Sequence, residues 1–196
     1  HSRALILGTW PSPKSREMAF YYGHPQNRFW PMLAALTGEP IPAREDIDAK
    51  KQLILRHGLA LWDTLESCTI TGASDASIKD VVPNDIAALL AKAPIEAVFC
   101  NGATAYKIYC KYLQPISGIA AVKLPSTSPA NAACRPEKLH PLLALLPSGH
   151  GERAIARVAG KAPATDRLSQ TAASDALSPK ANSSSVCLRR LTFNPT

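Results

Sequence analysis

No apolar run in this chain reaches the roughly 18 residues that a membrane span needs, and its first residues lack the basic, apolar, small-residue order of a signal peptide. The expectation is a soluble, cytoplasmic protein with no membrane partner. Closely paired cysteines are also missing. Cys68, Cys100, Cys110, Cys134 and Cys187 are odd in number and scattered, unlike the tight spacings that hold tetrahedral zinc or an iron–sulfur cluster. A reduced chain without metal is expected. Gly8 and Gly102 form neither a Gly-x-Gly-x-x-Gly nor a Walker-type cradle, which argues against a nucleotide-binding domain, and no motif implies a cofactor. An initiating Met is absent too: the chain opens at His1, so some residues are expected to precede it.

Acidic residues are short of basic ones, 15 against 22, for a formal charge of +7. Such a balance favours a polyanionic partner. The excess is uneven: residues 1–146 hold 15 Lys and Arg against 12 Asp and Glu, and residues 147–196 hold 7 against 3.

With 196 residues, 46% of them apolar, the chain has room for one domain with a core and a tail. Ala4-Leu5-Ile6-Leu7, Leu59-Ala60-Leu61-Trp62-Asp63, Ala97-Val98-Phe99-Cys100 and Ala120-Ala121-Val122-Lys123-Leu124 are short apolar runs that read as buried strands. Helical segments are expected between them. Glu17 to Tyr22 reads as one helical turn, Phe29 opens an apolar helix with Asn27 as its N-cap, and Glu45 to His57 has amphipathic spacing stopped by Gly58. Ile86 to Ala93 follows a cap at Asn84 or Asp85, Ala103 to Tyr112 follows Asn101-Gly102, and Pro136 to Leu146 forms a last helix. The Ser- and Thr-rich stretch after Asp63 reads as polar connection. Strands alternating with helices predict an α/β fold, a three-layer α-β-α sandwich around a short, mostly parallel four-stranded sheet with ligand sites beyond the strands' carboxyl ends. From Pro147 the pattern fades into a Ser-, Ala- and Pro-rich tail expected to be mostly disordered.

Two loops leave strands on the same edge of that sheet. Gly8-Thr9-Trp10-Pro11-Ser12, then Tyr21-Tyr22-Gly23-His24-Pro25-Gln26-Asn27-Arg28-Phe29-Trp30, and later Leu124-Pro125-Ser126-Thr127-Ser128-Pro129-Ala130-Asn131 together resemble the uracil-DNA glycosylase superfamily. The resemblance runs from Ala4 to Leu146 and is nearest to the hypoxanthine-DNA (DNA-deoxyinosine) glycosylase branch. It implies a monofunctional hydrolase that frees a deaminated base, hypoxanthine, from double-stranded DNA in base excision repair, acting as a monomer without an obligate protein partner. Uracil or mismatch-specific glycosylases and a non-catalytic DNA-damage binding module are the alternatives.

Mismatch-specific relatives carry, in the first loop, an Asn that orients the attacking water; Trp10 stands at the matching position here. The resemblance moves that role to Asn27, whose other reading is the helix cap. A neutral amide that positions water suits an oxocarbenium-like transition state. A flipped base needs a pocket, for which the candidates are Thr9, Trp10, Pro11, Tyr22, Asp63 and Asn101. Tyr21, Tyr22 and Phe29 offer stacking faces, with Phe29 and Trp30 packed behind Tyr22. Asp63 and Asn101 end their strands and can present hydrogen-bonding groups to a purine edge, although Asp63 has the alternatives of capping a helix or pairing with Lys or Arg. Ser12, Ser126, Thr127, Ser128, Pro129 and Asn131 are expected at the DNA, the small hydroxyls allowing close approach to phosphates. His24 reads as a structural loop residue. Neither motif contains a Lys where a lyase would need an amine nucleophile.

Overall fold

A computed structural model describes residues 2–71, 75–135, 138, 139, 141 and 142, together with the backbone of residues 185 and 186. Four strands, β1 (Ala4–Gly8), β2 (Leu59–Asp63), β5 (Ala97–Asn101) and β6 (Ala121–Leu124), form one sheet in the order β2-β1-β5-β6 with every neighbouring pair parallel. All five residues of β1 are buried, as a central parallel strand covered on both faces requires. Alternate residues serve opposite faces. Ala4 and Ile6 join Phe29, Leu33, Leu36, Leu53 and Leu59 in one core, while Leu5 and Leu7 join Ile86, Val98, Ala105, Tyr109 and Leu113 in the other. These are the two helical layers of the expected sandwich. The first contains α2 (Phe29–Thr37) and α3 (Ile47–Arg56); the second contains α4 (Ile86–Leu90), α5 (Ala103–Ile108) and α6 (Gln114–Ser117).

Several elements depart from the sequence reading. The first helix, α1, spans Pro13–Glu17 and not Glu17 to Tyr22. Ser12 caps it by accepting from the Ser15 N–H, and Pro13 supplies the fixed φ that suits a first helical position. Beyond it Ala19 and Tyr22 take left-handed φ of 51° and 54°, which no helix accommodates. The helix from Ile86 is shorter than expected, and Asp85 is its cap. The segment from Ala103 is longer: α5 passes through a π turn at Tyr109–Leu113 into α6. Pro115 sits at the start of α6, where its missing N–H and its ring disfavour a regular α turn upstream.

The polar stretch after Asp63 is an antiparallel hairpin, β3 (Leu65–Ile70) with β4 (Lys79–Pro83), joined through a short 3-10 turn at Asp75–Ser77. Ser185–Val186, as β7, pairs with the end of β3. The rest of the expected tail lies outside the described residues. So does most of the last expected helix, of which Leu139 and Leu142 are described and are buried in the first core.

Candidate active site

The chain runs from β1 outward to β2, then returns to the other side of β1 for β5 and β6. That reversal places a crevice beyond the carboxyl ends of β1 and β5, where open parallel sheets hold their ligands. A cavity of about 880 Å³ occupies it. Thr9, Trp10, Pro11, Ser12, Tyr21, Tyr22, Asn27, Asp63, Asn101, Ser126, Thr127, Ser128 and Asn131 line it, so the structure brings together the candidates named from the sequence except Pro129 and the stacking candidate Phe29.

The floor is built where two strands end. Asp63 closes β2 beside Gly8, and a Cβ on Gly8 would stand 2.5 Å from Asp63 Oδ1 and 3.6 Å from the Tyr22 hydroxyl. Only glycine leaves room for that carboxyl group. Asp63 is 8% exposed, and burial pushes its carboxyl up to about 7. The alternatives of capping a helix or pairing with a cation are not taken up, since no described donor reaches either oxygen. The Tyr22 hydroxyl is buried and unpartnered as well. Burial raises its phenol well above the usual tyrosine range, with the nearby Asn101 side chain pulling the other way. One face of the Tyr22 ring stacks on Phe29, centroids 4.0 Å apart, and Trp30 meets Phe29 edge-on. Phe29 and Trp30 are therefore the packing behind Tyr22.

Asn27 stands at the wall. Its Oδ1 accepts from the Phe29 N–H at 2.9 Å, holding the start of α2. The cap position of α2 is Arg28, which makes no side-chain capping bond, so the expected N-cap at Asn27 falls one residue early and Asn27 braces the turn ahead of the helix instead. A carbonyl oxygen has a second lone pair, so this bond leaves an acceptor and the amide N–H groups for a water molecule. The first loop joins the cavity to the hairpin: Trp10 packs against the cluster of Leu65, Cys68 and Ile108, while Thr9 donates to Asp75 at 3.4 Å. His24 Nδ1 accepts from the Gln26 N–H at 3.1 Å, a turn-stabilising role.

The second loop, residues 125–132, is held from two sides. Asn101 Nδ2 donates to Thr127 Oγ1 at 2.9 Å, and the Thr127 N–H donates to Asn101 Oδ1 at 3.1 Å. Thr127 is fully buried at the cavity wall, and its hydroxyl oxygen accepts from Asn101. Arg28 clamps the same loop: its N–H donates to Thr127 O, and its guanidinium donates to the carbonyls of Ser128, Asn131 and Ala132. Asn131 Nδ2 donates to Ser126 O at 2.8 Å, and the Ser126 and Ser128 hydroxyls accept from backbone N–H groups two residues on. Gly102, at φ 112°, lets α5 begin against this loop, 3.2 Å separating a built Cβ from Ser126 Cβ. Arg28, Arg16, Asp75 and Lys107 were not anticipated. Arg16 and Lys107 bring positive charge to the cavity lining.

A parallel sheet of order β2-β1-β5-β6 with an aromatic-walled crevice beyond its strand ends defines the class of open α/β proteins that hold a ligand at the topological switch point. Residues 1–147 match the family model of the uracil DNA glycosylase superfamily, and the chain belongs to that family. A protein of Methanosarcina acetivorans named hypoxanthine DNA glycosylase is 34% identical over 134 residues, covering 67% of this chain and 82% of the relative. A protein of the same name from Methanosarcina barkeri is 33% identical over 105 residues, 52% of this chain and 65% of its own length. A solution NMR structure of a candidate uracil DNA glycosylase from Methanosarcina acetivorans superposes with a TM-score of 0.60 at 29% identity, over 74% of this chain and 88% of the other.

Proposed function

We propose that this chain is a monofunctional DNA glycosylase that hydrolyses the N-glycosidic bond of an extruded deaminated base, with hypoxanthine as its principal substrate and Asn27 as the residue that orients the attacking water. The observation that carries the reading is the convergence of Asn27, Asp63, Tyr22 and the clamped 125–132 loop on one cavity in a member of this superfamily. The names of the two Methanosarcina proteins support the choice of base.

The reaction needs little covalent chemistry from the protein. As the C1′–N bond breaks, its electron pair leaves with the base and the sugar becomes oxocarbenium-like. Water adds its hydroxyl to C1′, and the base takes up a proton. Asn27 Oδ1 and Nδ2 hold the water, the open face of Tyr22 stacks on the extruded base, and Ser126 and Ser128 donate to flanking phosphates. Arg16 and Lys107 add phosphate attraction.

The test is a single-turnover assay on labelled duplexes bearing hypoxanthine or uracil opposite each normal base, with alkali revealing abasic sites. Wild type should cleave the hypoxanthine strands, and Asn27→Ala should lower that rate about 10²- to 10³-fold while DNA affinity holds. Cleavage confined to uracil strands would overturn the choice of base. Equal rates in wild type and Asn27→Ala would remove Asn27 from catalysis, and breaks formed without alkali would assign an amine, with Lys107 first, to a lyase step.

A further inference from the structure

Asp63 is a group the water-orienting mechanism leaves unused. It is more than nine-tenths buried, it lies at the cavity floor against Gly8 and Tyr22, and no described hydrogen-bond donor or cation satisfies it. A carboxylate in such a place is costly, whereas a neutral carboxylic acid is a hydrogen-bond donor aimed into the site.

We propose that Asp63 works in its protonated form, donating a hydrogen bond to an acceptor atom of the bound base, its keto oxygen or N7, that gains negative charge as the glycosidic bond breaks. This rests on the glycosylase reading above. Such a bond strengthens from ground state to transition state, so it raises the rate and not merely the affinity. The ionised carboxylate would do the opposite, setting negative charge against an atom that is becoming negative.

The surroundings favour the neutral form. From the segment after α1, Tyr21 and Tyr22 face Asp63, and burial first, then the Asp63 charge itself, raises both phenols, so neither ionises ahead of it. From β5, the Cys100 thiol is pushed up to about 12 by burial. Arg16 of α1, Asp75 of the 3-10 turn and Lys107 of α5 line the same cavity but make no hydrogen bond to Asp63, whose proton is held by burial up to about pH 7.

The experiment compares wild type, Asp63→Asn and Asp63→Ala on a hypoxanthine duplex from pH 5.5 to 9, in single turnover. An Asn donates at every pH, so the ratio of wild-type to Asp63→Asn rates should fall about tenfold per pH unit above about 7. Titration of the base itself cancels in that ratio. Asp63→Ala should be slower than Asp63→Asn throughout, by about 10²-fold. A ratio that stays constant, or rises with pH, would overturn the proposal. The dissociation constants of uncleaved hypoxanthine duplex and plain duplex, measured across the same range by anisotropy, give a second reading of the donor. Should wild type release no base at any pH, the glycosylase reading falls; a preference for the hypoxanthine duplex that weakens with pH in wild type alone would still uphold the donor, and an unchanged preference would overturn it.

Discussion

A buried carboxyl group that keeps its proton to about pH 7 makes the folded chain sensitive to alkali in a direction opposite to most carboxylates. In the unfolded chain Asp63 loses its proton near 3.8; in the folded chain, near 7. Between those values unfolding releases a proton, so stability falls as pH rises through the window and is level above it. The loss is on the order of 4 kcal/mol at most. Asp63→Asn removes the charge that must be buried, so its urea midpoint should exceed that of wild type at pH 8 and match it near pH 4. Equal midpoints at pH 8 would mean that Asp63 is solvated in the folded state. Glu39 and Glu96 act in the usual direction. Arg56 and His57 hold Glu39 below the ordinary carboxylate range and Arg3 does so for Glu96, and both pairs are exposed enough that water screens them and they are common to both proteins.

At the scale of elements, the second loop owes its shape to side chains far away in the sequence. Thr127→Val keeps the shape of the side chain and removes the acceptor for Asn101 Nδ2, leaving a part-buried donor at the cavity wall without that partner. It should cost about 0.5–1.5 kcal/mol in urea unfolding and weaken DNA binding while leaving the bound-state rate within a few-fold. A stability unchanged from wild type would show that the pair contributes nothing net. The same elements explain what could be read from sequence. The central strands β1 and β5 are buried and the edge strands β2 and β6 partly so, with Val122 and Lys123 of β6 exposed; each is still a short, largely apolar run stopped by Gly, Asp, Asn or Pro. The β3 and β4 hairpin is half-exposed and Ser/Thr-rich, so its pattern resembles a loop until the pairing is seen. Asp63 and Asn101 were legible as strand-end residues; that Asn101 serves Thr127 while Asp63 serves no described partner was not. Arg28 and Asp75 acquire roles only through contacts spanning 100 and 66 residues, respectively, and no local spacing encodes those.

Taken as a whole, the described part of the molecule gathers a pocket from the ends of all four parallel strands and brings two cations, Arg16 and Lys107, to its lining. Arg16 on α1 and Lys107 on α5 both line the cavity, which suits a duplex lying across the crevice. Each phosphate contact that releases a counterion should contribute about 0.9 to the slope of log affinity against log salt. Arg16→Ala and Lys107→Ala should therefore each weaken binding to plain and hypoxanthine-containing duplexes alike and lower that slope by about one. A variant with an unaltered slope would place its residue off the phosphate track.

The strand order β2-β1-β5-β6 also sets a timetable for synthesis. The central strand β1 is made first, yet one of its two edges waits for β5, and the Arg28 clamp waits for Asn131 and Ala132. Such long-range closures come late in folding, because the entropy of the intervening chain is lost before the contacts repay it. A nascent chain emerging from the ribosome thus carries Tyr22, Asn27 and Asp63 well before the cavity they line is closed, which waits for β6 and the loop that follows it.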